Sequence, residues 1–161
     1  MNKLSLYRQT LLPGLKSLLT LLALALLCPA GSMARAEALY VVVNPEIPLE
    51  NLNRGDIINI YMGRDRRLTS EYIALPLDID SDFQEKAEFY KKLIKRDLPE
   101  VNSYWTRVMF SGDASPPRQI DNFENIRELI KNNKGAIAYL PKSELQKFNE
   151  GEYKVVFVLE D

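Results

Sequence analysis

Four short apolar runs, separated by stretches with helical periodicity, constrain this chain more than any other feature. Leu39-Tyr40-Val41-Val42-Val43 is continuous and rich in β-branched residues, and Pro45 and Pro48 stop it. A run of that length and composition reads as a buried strand. Tyr72-Ile73-Ala74-Leu75-Pro76-Leu77 forms a second, whose proline predicts an edge or an end of the sheet. Ala136-Ile137-Ala138-Tyr139-Leu140 and the segment from Tyr153 to Leu159 supply two more.

Between these runs the period changes. Asn53 can cap a helix carrying Ile57, Ile60 and Tyr61, with Gly63 at its end. Ser81 or Asp82 can cap another, with Phe83, Ala87, Tyr90 and Ile94 on one face. Pro99 suits the first turn of a third helix, where its missing N–H costs nothing. Val101, Tyr104, Trp105, Val108 and Met109 then follow i, i+3, i+4, i+7, i+8 spacing, which predicts a core stripe. Asn122 begins a helix with Phe123, Ile126, Leu129 and Ile130, ended by Asn133 and Gly135. The predicted order is β-α-β-α-α-α-β-β. Strands alternating with helices imply an α/β fold, with a mixed, mostly parallel sheet flanked by helices.

The first 36 residues have a different character. They hold no acidic residue, carry Lys3, Arg8 and Lys16, and then run apolar from Leu18 to Leu27 before Ala34-Arg35-Ala36. A basic start, an apolar core and a small-x-small site form the layout of a secretory signal peptide. The apolar run is shorter than the roughly 20 residues a membrane span needs. The domain boundaries are therefore read as 1–36, signal peptide, and 37–161, folded domain. Export through such a signal implies a periplasmic location. Removal of Lys3, Arg8, Lys16 and Arg35 leaves 17 basic against 22 acidic residues, a net charge of −5. That balance argues against a general nucleic-acid binder, which needs a basic surface. The one cysteine, Cys28, leaves with the signal.

The chemistry open to the remainder is narrow. The chain has no His, so it has no imidazole base or imidazole metal ligand. Serine without histidine cannot form the usual nucleophile–base pair, and Lys142-Ser143 reads as a turn and cap. Asp78-Ile79-Asp80-Ser81-Asp82 opens like a calcium loop, but Phe83 stands where glycine is needed and Phe89 where glutamate is needed. It reads as a solvated loop leading into a helix. No cofactor and no enzymatic activity are expected. Arg64, Arg66 and Arg67 form a basic cluster able to hold an anion or an acidic partner.

An ordered set of segments points further: Val41-Val42-Val43-Asn44-Pro45, Leu52-Asn53-Arg54-Gly55-Asp56-Ile57-Ile58-Asn59-Ile60-Tyr61-Met62-Gly63, Phe89-Tyr90, Tyr104-Trp105-Thr106-Arg107, Phe110-Ser111-Gly112, Pro116-Pro117 and Gly135-Ala136-Ile137-Ala138-Tyr139. Across about residues 39 to 140 this resembles the substrate-binding subunits of phosphate ABC transporters, in the type 2 periplasmic-binding-protein superfamily, and more closely their short single-lobe relatives. The resemblance implies a single-lobe periplasmic-binding-protein-like domain and a phosphate-like small anion as ligand. It makes Ser81, Arg64 and Arg107 the candidate ligand-binding residues. Family members carry an Arg shortly before a Ser-Gly-Thr at a helix start. Here that stretch is Ser81-Asp82-Phe83, with only Ser81 matching and Asp78, Asp80 and Asp82 around it. The resemblance therefore implies at most weak anion binding. The alternative is a ligand-free accessory module that reuses one lobe to engage a periplasmic or inner-membrane protein. Intact-mass analysis of the exported protein should find Glu37 at its N-terminus; recovery of only the full-length chain in the membrane fraction would instead mark residues 1–36 as a retained anchor.

Overall fold

A computed structural model describes residues 37–160. Residues 1–36, read from the sequence as a signal peptide and containing Cys28, lie outside the described residues. The elements are strand β1 (Leu39–Val43), helix α1 (Arg54–Tyr61), β2 (Leu75–Ile79), α2 (Gln84–Ile94), α3 (Leu98–Ser111), β3 (Arg118–Ile120), α4 (Phe123–Asn132), β4 (Ala136–Pro141), the short α5 (Lys142–Leu145) and β5 (Lys154–Leu159). One sheet contains all five strands, in the order β3-β2-β4-β1-β5. β2 pairs in parallel with β3 and β4, whereas β1 pairs antiparallel with β4 and β5. Four of the five strands thus run in one direction and β1 opposes them, which fits the expected mixed, mostly parallel sheet.

Local chemistry fixes most boundaries. Asn53 accepts from the Asp56 amide while the Asp56 carboxylate accepts from the Asn53 amide, a reciprocal capping box. Asp97 and Glu100 form a second one, with Pro99 in the first turn of α3. Asn122 caps α4 through the Asn125 amide.

Several expectations are corrected. β2 begins three residues later than predicted and includes Asp78 and Ile79, so neither belongs to a solvated loop. β2 is an inner strand, and Pro76 is tolerated as its second residue because β3 pairs only from Leu77 onward. β3 was not predicted; at three residues it is too short to show a period. Lys142-Ser143 opens the short helix α5 and is not a simple turn. Neither Ser81 nor Asp82 caps α2. Phe83 stands at that position and makes no side-chain cap bond. The buried face of α2 is Lys86, Phe89, Tyr90 and Leu93, while Ala87 is exposed. On α3, Val101 and Trp105 are buried as expected, but Met109 is half exposed.

The centre of the core is aromatic and polar together. Phe89 stacks on Tyr139 with ring centroids 3.8 Å apart, and Tyr61 meets Phe89 edge-on at 4.6 Å. Among these rings lies a buried carboxylate. Asp78 Oδ2 sits 3.2 Å from Lys86 Nζ, with both side chains about 5% exposed. The Tyr90 hydroxyl donates to Asp78 Oδ2 at 3.0 Å and the Tyr139 hydroxyl donates to Oδ1. Tyr61 adds bonds from its hydroxyl to the Leu77 and Ile137 carbonyls. Burial pushes the Asp78 carboxyl up, opposed by the Lys86 ammonium and then by the Tyr139 and Tyr90 hydroxyls. Burial likewise raises all three tyrosines. A pair buried this deeply gains little over an apolar substitute, but either charge left alone is costly. D78N and K86M should each destabilise by about 3–5 kcal/mol in urea unfolding, and the double variant should lose much less than the sum of the two.

Candidate functional site

The end of α1 begins the site. Gly63 takes φ 69, in the left-handed region. A Cβ there would stand 2.9 Å from the Trp105 ring and 3.0 Å from Ala114. Glycine is thus required both by the turn and by the close packing of α3. The turn is held by the Arg64 amide, which donates to the Asn59 carbonyl at 2.8 Å, and by the Tyr104 hydroxyl, which donates to the Met62 carbonyl at 2.7 Å. Arg64 therefore leaves α1 at a fixed point beside α3.

The corner between α2 and α3 supplies the other wall. α2 ends at Ile94, Lys95 takes the left-handed conformation (φ 58), and Arg96 follows. Arg96 forms an ion pair with Glu100, one turn into α3. Between this corner, the α1 end and α3 lies a half-open cavity of about 580 Å³. Arg64, Arg96 and Arg107 all line it. Its apolar lining is Met62, Ile94, Pro99 and Val101, of which Met62 and Val101 are buried.

The three arginines are not equivalent. Arg96 is engaged by Glu100, whose carboxyl the Arg96 hydrogen bond holds below the usual range. Among the described residues, the guanidiniums of Arg64 and Arg107 make no hydrogen bond or ion pair. Two unneutralised guanidinium forks facing one cavity can each offer paired N–H donors to a carboxylate or phosphate. The other polar side chains in the wall have spent their donors: Tyr104 on the Met62 carbonyl, and Ser103 on the Pro99 carbonyl at 2.8 Å.

The basic cluster singled out in the sequence separates. Arg67 is taken up by Asp65, whose carboxyl is held down at about 2 by hydrogen bonds from Arg67. Arg66 donates to the Ser115 carbonyl. Only Arg64 of the cluster reaches the cavity, where Arg107, also singled out from the sequence, joins it. Arg96 was missed, because one arginine in a run of charged residues carries no signal of its own.

Ser81 is exposed and is not among the residues lining the cavity. Its hydroxyl donates to Asp80 Oδ1 at 3.3 Å, and the same oxygen accepts the Asp82 amide at 3.2 Å. The loop before α2 thus satisfies itself with its own carboxylate, which opposes a second anion there. Asp78 is not part of this loop. It points into the core, so two of the three expected carboxylates remain beside Ser81. Among the described residues no group of three or more acidic side chains is arranged to hold a metal ion, and no helix is long and apolar enough to cross a membrane.

The fold is shared with part of solved phosphate-transport receptors. It superposes on an ABC-type phosphate transport receptor from Vibrio cholerae with a TM-score of 0.57 at 16% identity, covering 74% of this chain and 45% of that one. It superposes on a structure named as a phosphate ABC transporter substrate-binding protein with bound phosphate, from Clostridium perfringens, with a TM-score of 0.56 at 13% identity, covering 76% of this chain and 46% of that one. The chain therefore has the fold of part of these receptors and spans less than half their length. At such identities the likeness is one of fold. No family model matches the sequence, and no curated protein matches it.

The Gly63 turn yields a direct check on this geometry. G63A should lower stability by about 1–3 kcal/mol in urea unfolding, because it combines a left-handed backbone with a clash against Trp105.

Proposed function

We propose that this chain is an exported, single-lobe, solute-binding-like module of the periplasm that holds a small anion weakly at Arg64 and Arg107. The observation that carries this reading is the pair of unneutralised guanidiniums in one cavity. The fold shared with phosphate receptors supports it, as does the signal-like pattern of residues 1–36. The ligand class is an oxyanion such as phosphate or sulfate, because planar guanidinium forks match its geometry. Weak binding is expected. The cavity is half open, and the Glu100 carboxylate in its wall offsets the charge of Arg96.

A second reading rests on a different surface. Phe110 is 96% exposed at the end of α3, next to the half-exposed Met109. Contiguous exposed apolar surface marks contact sites, and these two side chains are neighbours in sequence. They favour an accessory role in which the lobe engages a periplasmic or inner-membrane protein.

Thermal unfolding separates the two. An anion at 100 times its dissociation constant adds about 2.7 kcal/mol, so millimolar phosphate or sulfate should raise the midpoint of the purified protein. R64Q and R107Q should each abolish the rise, and S81A should leave it intact. A rise lost in S81A but kept in R64Q would move the site to the start of α2. No rise with any oxyanion would leave the accessory reading standing.

A further inference from the structure

The cavity at Arg64 and Arg107 is larger than an inorganic oxyanion needs. Its volume is about 580 Å³, within the roughly 300–1,000 Å³ typical of small-molecule sites. A tetrahedral oxyanion occupies the space of about two or three waters, at ~30 Å³ each. Most of the cavity would then stay open to water beside an apolar wall.

The lining also holds apolar side chains. Ile94 and Pro99 supply apolar surface, backed by the buried Met62 and Val101, and Tyr104 adds a ring whose hydroxyl is already bonded to the Met62 carbonyl. With the Ser103 donor also spent on the Pro99 carbonyl, the donors facing a ligand are guanidinium N–H groups: Arg64 and Arg107 are wholly uncommitted, whereas Arg96 is paired with Glu100 through one of its nitrogens. The site thus combines cationic groups with apolar surface. Glu100 stands in the same wall, so a second acidic group on the body of the ligand would be opposed.

Resting on the anion-binding reading above, we propose that the ligand is an organic anion: a phosphate monoester or carboxylate whose acidic head lies on Arg64 and Arg107 and whose uncharged apolar body lies along Ile94, Pro99 and the Tyr104 ring. The ligand's head supplies specificity through paired hydrogen bonds, and its body supplies affinity by displacing water from the apolar wall.

Calorimetric titration of the purified protein with phenyl phosphate and with inorganic phosphate, at equal ionic strength, tests this. Phenyl phosphate should bind at least about tenfold tighter, which needs only ~60 Å² of apolar surface to be buried. I94S, a change at a half-buried position, should remove that advantage while leaving inorganic phosphate unchanged, and R64Q should remove both. Equal affinity for the two ligands would overturn the organic-anion proposal and leave the anion site standing. An advantage that survives I94S would overturn the placement of the apolar body. Failure of both ligands to bind would overturn the anion site itself.

Discussion

The buried Asp78–Lys86 pair is the contact on which the rest of this lobe depends. It joins an inner strand to a helix that sequence alone places only loosely. Asp78 takes the Lys86 ammonium and the Tyr90 hydroxyl from α2 and the Tyr139 hydroxyl from β4. Three elements are thereby fixed in one register around a single carboxylate. Such a pair contributes little net stability over apolar side chains of the same shape. Its consequence here is positional: a sliding or rotated α2 would strand a charge in the core. With Lys86 and Tyr90 pinned, the far end of the same helix is pinned too. That end carries Ile94, the Lys95 corner and Arg96 into the cavity wall. Tyr61 extends the network to α1, whose end presents Met62, Gly63 and Arg64. The polar core and the surface cavity are therefore linked through the same two helices.

The caps and the strong stripes were legible in the sequence. Asn53 and Asn122 act where short polar side chains before a periodic run should act, Pro99 lies in the first turn of α3 as expected, and Trp105 lies in the core where its spacing put it. The α2 face was misread for a physical reason. A buried face containing Lys86 does not look apolar, so Ala87 took its place in the pattern. Asp78 was misread in the same way. In a row of alternating aspartates nothing distinguishes the carboxylate that turns inward, and only its partners eight, twelve and sixty-one residues away do so. β3 has too few residues to carry a period, and it exists because β2 offers it a parallel neighbour.

The site was half legible. Arg64 stood out within a cluster and Arg107 within a family-like segment, but their meeting in one cavity depends on tertiary structure. Their significance lies in what their neighbours do. Asp65 takes Arg67, the Ser115 carbonyl takes Arg66 and Glu100 takes Arg96, leaving Arg64 and Arg107 uncommitted. Ser81 shows the converse. It stands at the place a resemblance to phosphate receptors picks out, yet Asp80 already fills the loop around it. The fold is shared with those receptors over less than half their length, and the cationic surface of this lobe lies away from the start of α2.

The central claim is that an anion reaches this lobe at the α1–α2–α3 corner and not at the start of α2. Amide chemical-shift mapping on the isotopically labelled protein, titrated with inorganic phosphate at constant pH and low salt, tests it directly. The account predicts saturable shifts concentrated at residues 62–64 and 94–107, with residues 80–84 unmoved. Shifts concentrated at residues 80–84, or none that saturate, would contradict it.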